Sequence, residues 1–114
     1  AWATRFEIVN IAAQHVFYDY DLTNETAQWE GAVKEMLGIE LTEINGSIDL
    51  WKELLHPYDA QDVIAQLNKS RTACSKFDTV YRMRHKKGHY IYVHDCGFFQ
   101  QDNNGNPIRA EVMP

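Results

Sequence analysis

The sequence contains no run of about 20 apolar residues, the length a helix needs to cross a bilayer, and its start lacks the basic-then-apolar layout of a secretory signal. No membrane span is read from it, and a cytoplasmic setting is the expectation. Positive charge is scarce: 11 Lys and Arg against 16 Asp and Glu leave a formal net charge of −5. The basic pair Lys86-Lys87 sits at a hairpin tip. That balance argues against a nucleic-acid partner, because phosphate binders gather Lys and Arg on one face. Cys74 and Cys96 are the two cysteines, far apart and without a Cys-x-x-Cys spacing. Neither a zinc site nor a redox pair is therefore signalled, and both read as buried small hydrophobes. A Gly-rich phosphate loop, a Ser, His and Asp arrangement and a glutamate-bearing metal motif are all missing, which leaves catalysis little support. Internal repeats and low-complexity tracts are missing too.

What is present suits one core: 114 residues, 45% of them apolar and 12% aromatic. The last third carries the strongest pattern. Phe77, Thr79, Tyr81 and Met83 alternate with Asp78, Arg82 and Arg84, Lys87-Gly88 supplies a tight turn, and His89 to Phe99 returns as a second strand. Asp102 to Pro107 is a dense cluster of turn formers, beyond which Ile108, Ala110 and Val112 alternate with Arg109 and Glu111. At the other end, Trp2, Phe6, Val9 and Ala13 make one apolar stripe over residues 2–14, a helix. A β-prone run at Val16 to Tyr20, a turn at Asp21 to Asn24 and a short strand from Thr26 to Glu30 form a first hairpin.

Between the hairpins the period becomes helical. Glu30 to Leu37 stops at Gly38, Ser47 caps Ile48 to Leu55, and Pro57 opens a third helix whose pattern fades at Asn68-Lys69-Ser70. The order β-β-α-α-α-β-β-β specifies an α+β fold with short helices across one face of an antiparallel sheet. Residues 1–14 read as a flanking helix and 15–114 as one domain. The chain opens inside a helical pattern and ends on Met113-Pro114 with a strand barely finished, so a piece of a longer polypeptide is expected. The second strand of the long hairpin is apolar on both faces, Tyr90, Tyr92, Cys96 and Phe98 on one and Ile91, Val93 and Phe99 on the other. The central helices cover one face; the 2–14 helix or a second subunit is expected to cover the other.

Taken together, Glu35-Met36-Leu37-Gly38, Trp51 with His56-Pro57-Tyr58-Asp59, and Tyr81-Arg82-Met83-Arg84 with Lys87-Gly88, Tyr90, Val93 and the Asp102 to Gly105 turn resemble a PAS domain of the PAS/PAC type common in bacterial sensory proteins. The likeness runs over residues 15–113. Tyr58, Lys87 and Tyr92 depart from the residues usual there, and the sequence stops before the Asp-Ile-Thr signature that usually couples such a domain to its output helix. The resemblance implies a five-stranded antiparallel sheet cupping a small cavity, a sensor in signal transduction that is often dimeric, and an attached output such as a histidine kinase or diguanylate cyclase. The domain itself is not expected to be an enzyme.

The cavity candidates are Phe17, Trp29, Met36, Leu37, Ile48, Trp51, Leu54, Tyr81, Met83 and Val93, which either bind a small molecule or fill the space themselves. The expected homodimer or helix-docking surface is Trp2, Phe6, Val9, Tyr90 and Tyr92. No catalytic residue and no metal ligand is assigned. His56, before Pro57, reads as a helix cap rather than a ligand, Asp59 and Asp62 as favourable charges on the following helix start, and His85, His89 and His94 as a solvated group around the hairpin. No cofactor is signalled. Cys74 lacks the Asn-Cys-Arg-Phe surroundings of the light-sensing branch, which disfavours a covalent flavin, whereas haem ligation by one of the five histidines stays open. The alternative from another class is a small α+β enzyme using the cup as its active site, with Asp19 or Asp95 reaching inward.

Overall fold

Two hairpins, one at each end of the described chain, are joined side by side through the last strand. The computed structural model describes residues 16–112. In order these form β1 (Val16–Asp21), β2 (Thr26–Gly31), α1 (Val33–Leu37), α2 (Leu41–Ile44), β3 (Gly46–Ser47), α3 (Asp49–Leu54), α4 (Pro57–Ala73), β4 (Lys76–Arg84), β5 (Tyr90–Gln101) and β6 (Pro107–Val112). The strands make a six-stranded sheet in the order β3-β2-β1-β6-β5-β4, antiparallel throughout. The α+β architecture expected from the sequence is present. Two elements are additional, the two-residue β3 and the one-turn α2, both too short to leave a periodic pattern. The helix expected over residues 1–14 lies outside the described residues.

Boundaries moved where local chemistry prevailed over pattern. Glu30 belongs to β2, and α1 starts only at Val33, but it ends as expected at Gly38, whose φ of 73° is the left-handed conformation that closes a helix. A Cβ at Gly38 would also lie 2.6 Å from His85 Cε1, so the hairpin tip docks there because the side chain is absent. Helix α4 continues past Asn68-Lys69-Ser70 to Ala73. Its polar last turns are held from outside: the Ser70 hydroxyl donates to the Lys76 carbonyl at 3.1 Å, and Arg71 pairs with Glu25 at 2.9 Å. Cys74 then takes a left-handed φ of 49° and ends the helix. Both cysteines are half-buried, not fully buried as expected, because each sits at a boundary between the core and solvent.

Odd-numbered residues of β4 and β5 face the helices. Phe77, Tyr81, Met83, Val93 and Phe99 join Trp29, Val33, Leu37, Ile44, Ile48, Trp51, Leu55 and Val63 in one core. The opposite face is open: Tyr92 is 73% and Val80 60% exposed.

Strand β4 is an edge, and the junction of α3 with α4 closes it. Leu55 bridges to Met83, the His56 N–H donates to the Arg82 carbonyl at 3.0 Å, and Asp59 accepts the Arg82 N–H at 2.9 Å. The same carboxylate takes the Arg82 guanidinium through Nε at 2.9 Å and Nη2 at 2.8 Å. His56 caps α4, its Nδ1 accepting from the Tyr58 N–H at 3.0 Å, which is the structural role read from the sequence.

Arg82's hydrogen bonds hold the Asp59 carboxyl down from 3.8 to about 2, against a smaller opposing effect of desolvation. A folded value below the unfolded one stabilises above pH 3.8 and loses that contribution as pH falls toward 2. Asp59→Asn should therefore show a lower urea midpoint at neutral pH and a shallower decline than wild type across that acid window. Parallel curves for the two proteins would remove Asp59 from the account of acid stability.

Candidate functional site

Beneath α3 and α4 the sheet leaves a cavity of about 20 Å³, lined by Tyr18, Tyr20, Ala27, Trp29, Ile48, Trp51, Leu67, Phe77, Asp95, Gly97, Phe98, Phe99 and Ala110. A space of this size holds about one water. Its one carboxylate is Asp95, opposite Thr79 in the β4–β5 register. The Tyr18 hydroxyl donates to Asp95 Oδ1 at 2.8 Å and the Tyr81 hydroxyl to Oδ2 at 2.8 Å, while Trp51 Nε1 donates to the Tyr81 oxygen at 3.2 Å. Strands β1, β4 and β5 and helix α3 thus meet at one acid.

Gly97 makes the Tyr18 contact possible. A Cβ on Gly97 would lie 2.2 Å from the Tyr18 hydroxyl and 2.9 Å from the Glu111 carbonyl oxygen. Desolvation raises the Asp95 carboxyl above its ordinary 3.8 even though both tyrosine hydrogen bonds favour the charged form. Tyr18 and Tyr81 are raised too, first by desolvation and then by the Asp95 charge, so both stay neutral hydroxyl donors. The Trp29 indole N–H, beside the same cavity wall, is buried without a partner.

Tyr20, Ile48 and Leu67 separate this cavity from a polar groove of about 340 Å³, whose walls include Glu25, Lys52, Asn68 and Arg71. Glu25 ties the partition together, accepting from the Tyr20 hydroxyl and from Arg71 Nη1, the latter at 2.9 Å.

A PAS fold family model matches residues 26–112. The chain belongs to the PAS family. Comparison with curated proteins returns no match. The fold of this PAS domain is similar to that of the N-terminal domain of a diguanylate cyclase with a PAS/PAC sensor from Marinobacter aquaeolei, with a TM-score of 0.79 and 18% identity over 85% of this chain and 89% of that one. It is similar as well to a sensory box histidine kinase/response regulator from Burkholderia thailandensis (TM-score 0.74, 22% identity, 96% and 82% covered). A third likeness is to a PAS domain from Colwellia psychrerythraea (TM-score 0.71, 15% identity, 97% and 92% covered).

Of the cavity candidates, Trp29, Ile48 and Trp51 line the space, and Tyr81 is bonded to its acid. Leu37, Met83 and Val93 are core residues away from the lining, and Met36 and Leu54 are partly buried against the core. Phe17 needs correction: it is 39% exposed and borders a groove on the outer face with Asp19, Gln28, Glu30 and Glu111. In β1 the inward set is Tyr18 and Tyr20, and the aspartates at 19 and 21 were the signal that Phe17 shares the solvent face. Tyr90 and Tyr92 lie on the outer face as expected, 36% and 73% exposed, while Trp2, Phe6 and Val9 lie outside the described residues. The three hairpin histidines split: His85 and His89 stack with ring centroids 4.4 Å apart, and His94 Nε2 meets Asp78 Oδ1 at 2.7 Å. Asp19 pairs with Arg109 at 2.9 Å, and Asp95 reaches the cavity with both oxygens engaged by tyrosine hydroxyls.

Gly97→Ala should cost about 1–3 kcal/mol by overpacking, read as a lowered urea midpoint. An unchanged midpoint would mean that the Tyr18 hydroxyl moves aside freely. Because the Asp95 value is raised in the folded state, its contribution is full below pH 3.8 and is lost as pH rises through the folded value. Asp95→Asn should accordingly gain stability relative to wild type as pH rises from 3.8 toward neutrality, and a difference independent of pH would contradict the burial of a charge here.

Proposed function

We propose that this PAS domain is the sensory input of a larger signalling protein, acting by protein contact across the outer face of its sheet and regulating an attached output such as a histidine kinase or diguanylate cyclase. The observation that carries this reading is the division of the β4–β5 pair: its inward residues are used up in a nearly filled core, while Tyr92 of β5 and Val80 of β4 stand 73% and 60% exposed on the other side. The natural cover is a second copy together with the helix read over residues 2–14, which gives a cytoplasmic homodimer through Trp2, Phe6, Val9, Tyr90 and Tyr92. A signal acts on such a device only through differential affinity for two arrangements of the sheet.

A second reading, a small ligand in the cavity, is favoured by the unpartnered Trp29 indole N–H, which an acceptor on a ligand would satisfy. The side chains around it would have to part, since the cavity as it stands is about 20 Å³.

Sedimentation velocity on the 114-residue chain should give a dimer, and Tyr92→Glu should give a monomer with an unfolding midpoint within about 0.5 kcal/mol of wild type. A dimer unchanged by Tyr92→Glu would overturn the outer-face reading. On the same sample, absence of visible absorption and of added mass in native mass spectrometry would set aside haem, flavin and any tightly held ligand together; extra mass would favour the second reading.

A further inference from the structure

Across the β4–β5 pair, Asp78 lies directly opposite Cys96, and His94 opposite Val80, which puts the carboxylate, imidazole and thiol side by side on the outer face. One ligand atom from each lies within 4.8 Å of the other two. From this juxtaposition we propose that Asp78, His94 and Cys96 form a divalent transition-metal site, with zinc as the ion that suits it.

The geometry is close to what zinc takes. Bonds of about 2.0–2.3 Å arranged tetrahedrally set neighbouring donors about 3.3–3.8 Å apart. His94 Nε2 and Asp78 Oδ1, at 2.7 Å, share a hydrogen bond whose proton the ion replaces, moving the two atoms slightly apart. The widest spacing closes by about 1 Å, within reach of rotations of the His94 and Asp78 side chains, which are 62% and 45% exposed. Paired strands fix the three Cα positions, and the half-buried Cys96 gives the site its anchored member.

Charge and donor type agree. One thiolate and one carboxylate neutralise a divalent ion, and the neutral imidazole adds no charge. Lys76 Nζ sits 3.3 Å from Asp78 Oδ2, the other carboxylate oxygen, so it orients the group and leaves Oδ1 for the metal. A mixed sulfur, nitrogen and oxygen set selects zinc over magnesium or calcium, which want oxygen alone. Three protein donors leave a fourth position, facing away from the sheet, for water or an incoming group. Residues 78, 94 and 96 make no sequence motif because the site exists only where two strands pair.

The test is a titration of the reduced 114-residue chain with cobalt(II), followed by zinc. One equivalent of cobalt should saturate intense visible bands of tetrahedral cobalt together with a near-ultraviolet thiolate-to-cobalt band, and zinc should bleach both. Cys96→Ser should abolish the thiolate band. Cys74→Ser should keep it, since that thiol lies at the end of α4 with its sulfur 3.7 Å from the Gly105 carbonyl oxygen. Asp78→Asn and His94→Gln should each weaken cobalt binding by more than about tenfold. No tetrahedral spectrum at one equivalent overturns the proposal, as does a thiolate band that survives Cys96→Ser or disappears in Cys74→Ser. Should Cys96→Ser lose its fold by circular dichroism, the exposed pair decides alone: unchanged cobalt affinity in both Asp78→Asn and His94→Gln overturns it.

Discussion

An aspartate set beneath a sheet needs donors for both oxygens, and the arrangement of this domain follows from how Asp95 obtains them. One donor is Tyr18 from the first hairpin and the other Tyr81 from the second, with Trp51 of α3 donating to Tyr81 in turn. Desolvating a carboxylate costs several kcal/mol, and each hydrogen bond to it returns about 1.5–3 kcal/mol. The direction of the Asp95 shift says which is larger: burial still raises the carboxyl above its ordinary value. What the cluster contributes is position: Tyr18 reaches the acid across β6 and Tyr81 reaches it from β4, with Gly97 clearing the way.

The helical layer has a second task besides covering the core. It closes the outer edge of β4, which would otherwise present free backbone groups, through Leu55, His56 and the Asp59 carboxylate that takes both the Arg82 N–H and its guanidinium. With that edge occupied and the inner face packed, the outer face of the sheet keeps Val80 and Tyr92 exposed. Inner packing and outer availability are two consequences of one period-two pattern.

Much of this was legible in the residues. Alternation in the long hairpin gave its strands to within a residue or two, Gly38 and Pro57 marked real helix ends, and the apolar character of β5 on both faces pointed to the exposed side. Composition and period could not supply the elements stabilised only by tertiary partners. The last turns of α4 are polar, and they stay helical because Glu25 and the Lys76 carbonyl hold them. Phe17 misled because hydrophobicity alone placed it inside, whereas the face of a strand is chosen by the whole alternate set, and Phe17 shares its set with two aspartates. The acid cluster was invisible for a different reason: Tyr18 and Asp95 are 77 residues apart, and nothing short of the strand order β1-β6-β5 brings them together.

That strand order also bears on how the two faces communicate. Asp95 points to the cavity, and its neighbours His94 and Cys96 point to the outer surface, so a shift of β5 that changes the tyrosine contacts displaces the outer residues with it. A coupling of that kind would need no relay of side chains through the core, because it would be the pleat of one strand. A ligand or partner biases such a strand only to the extent that it binds one position of it more tightly than another.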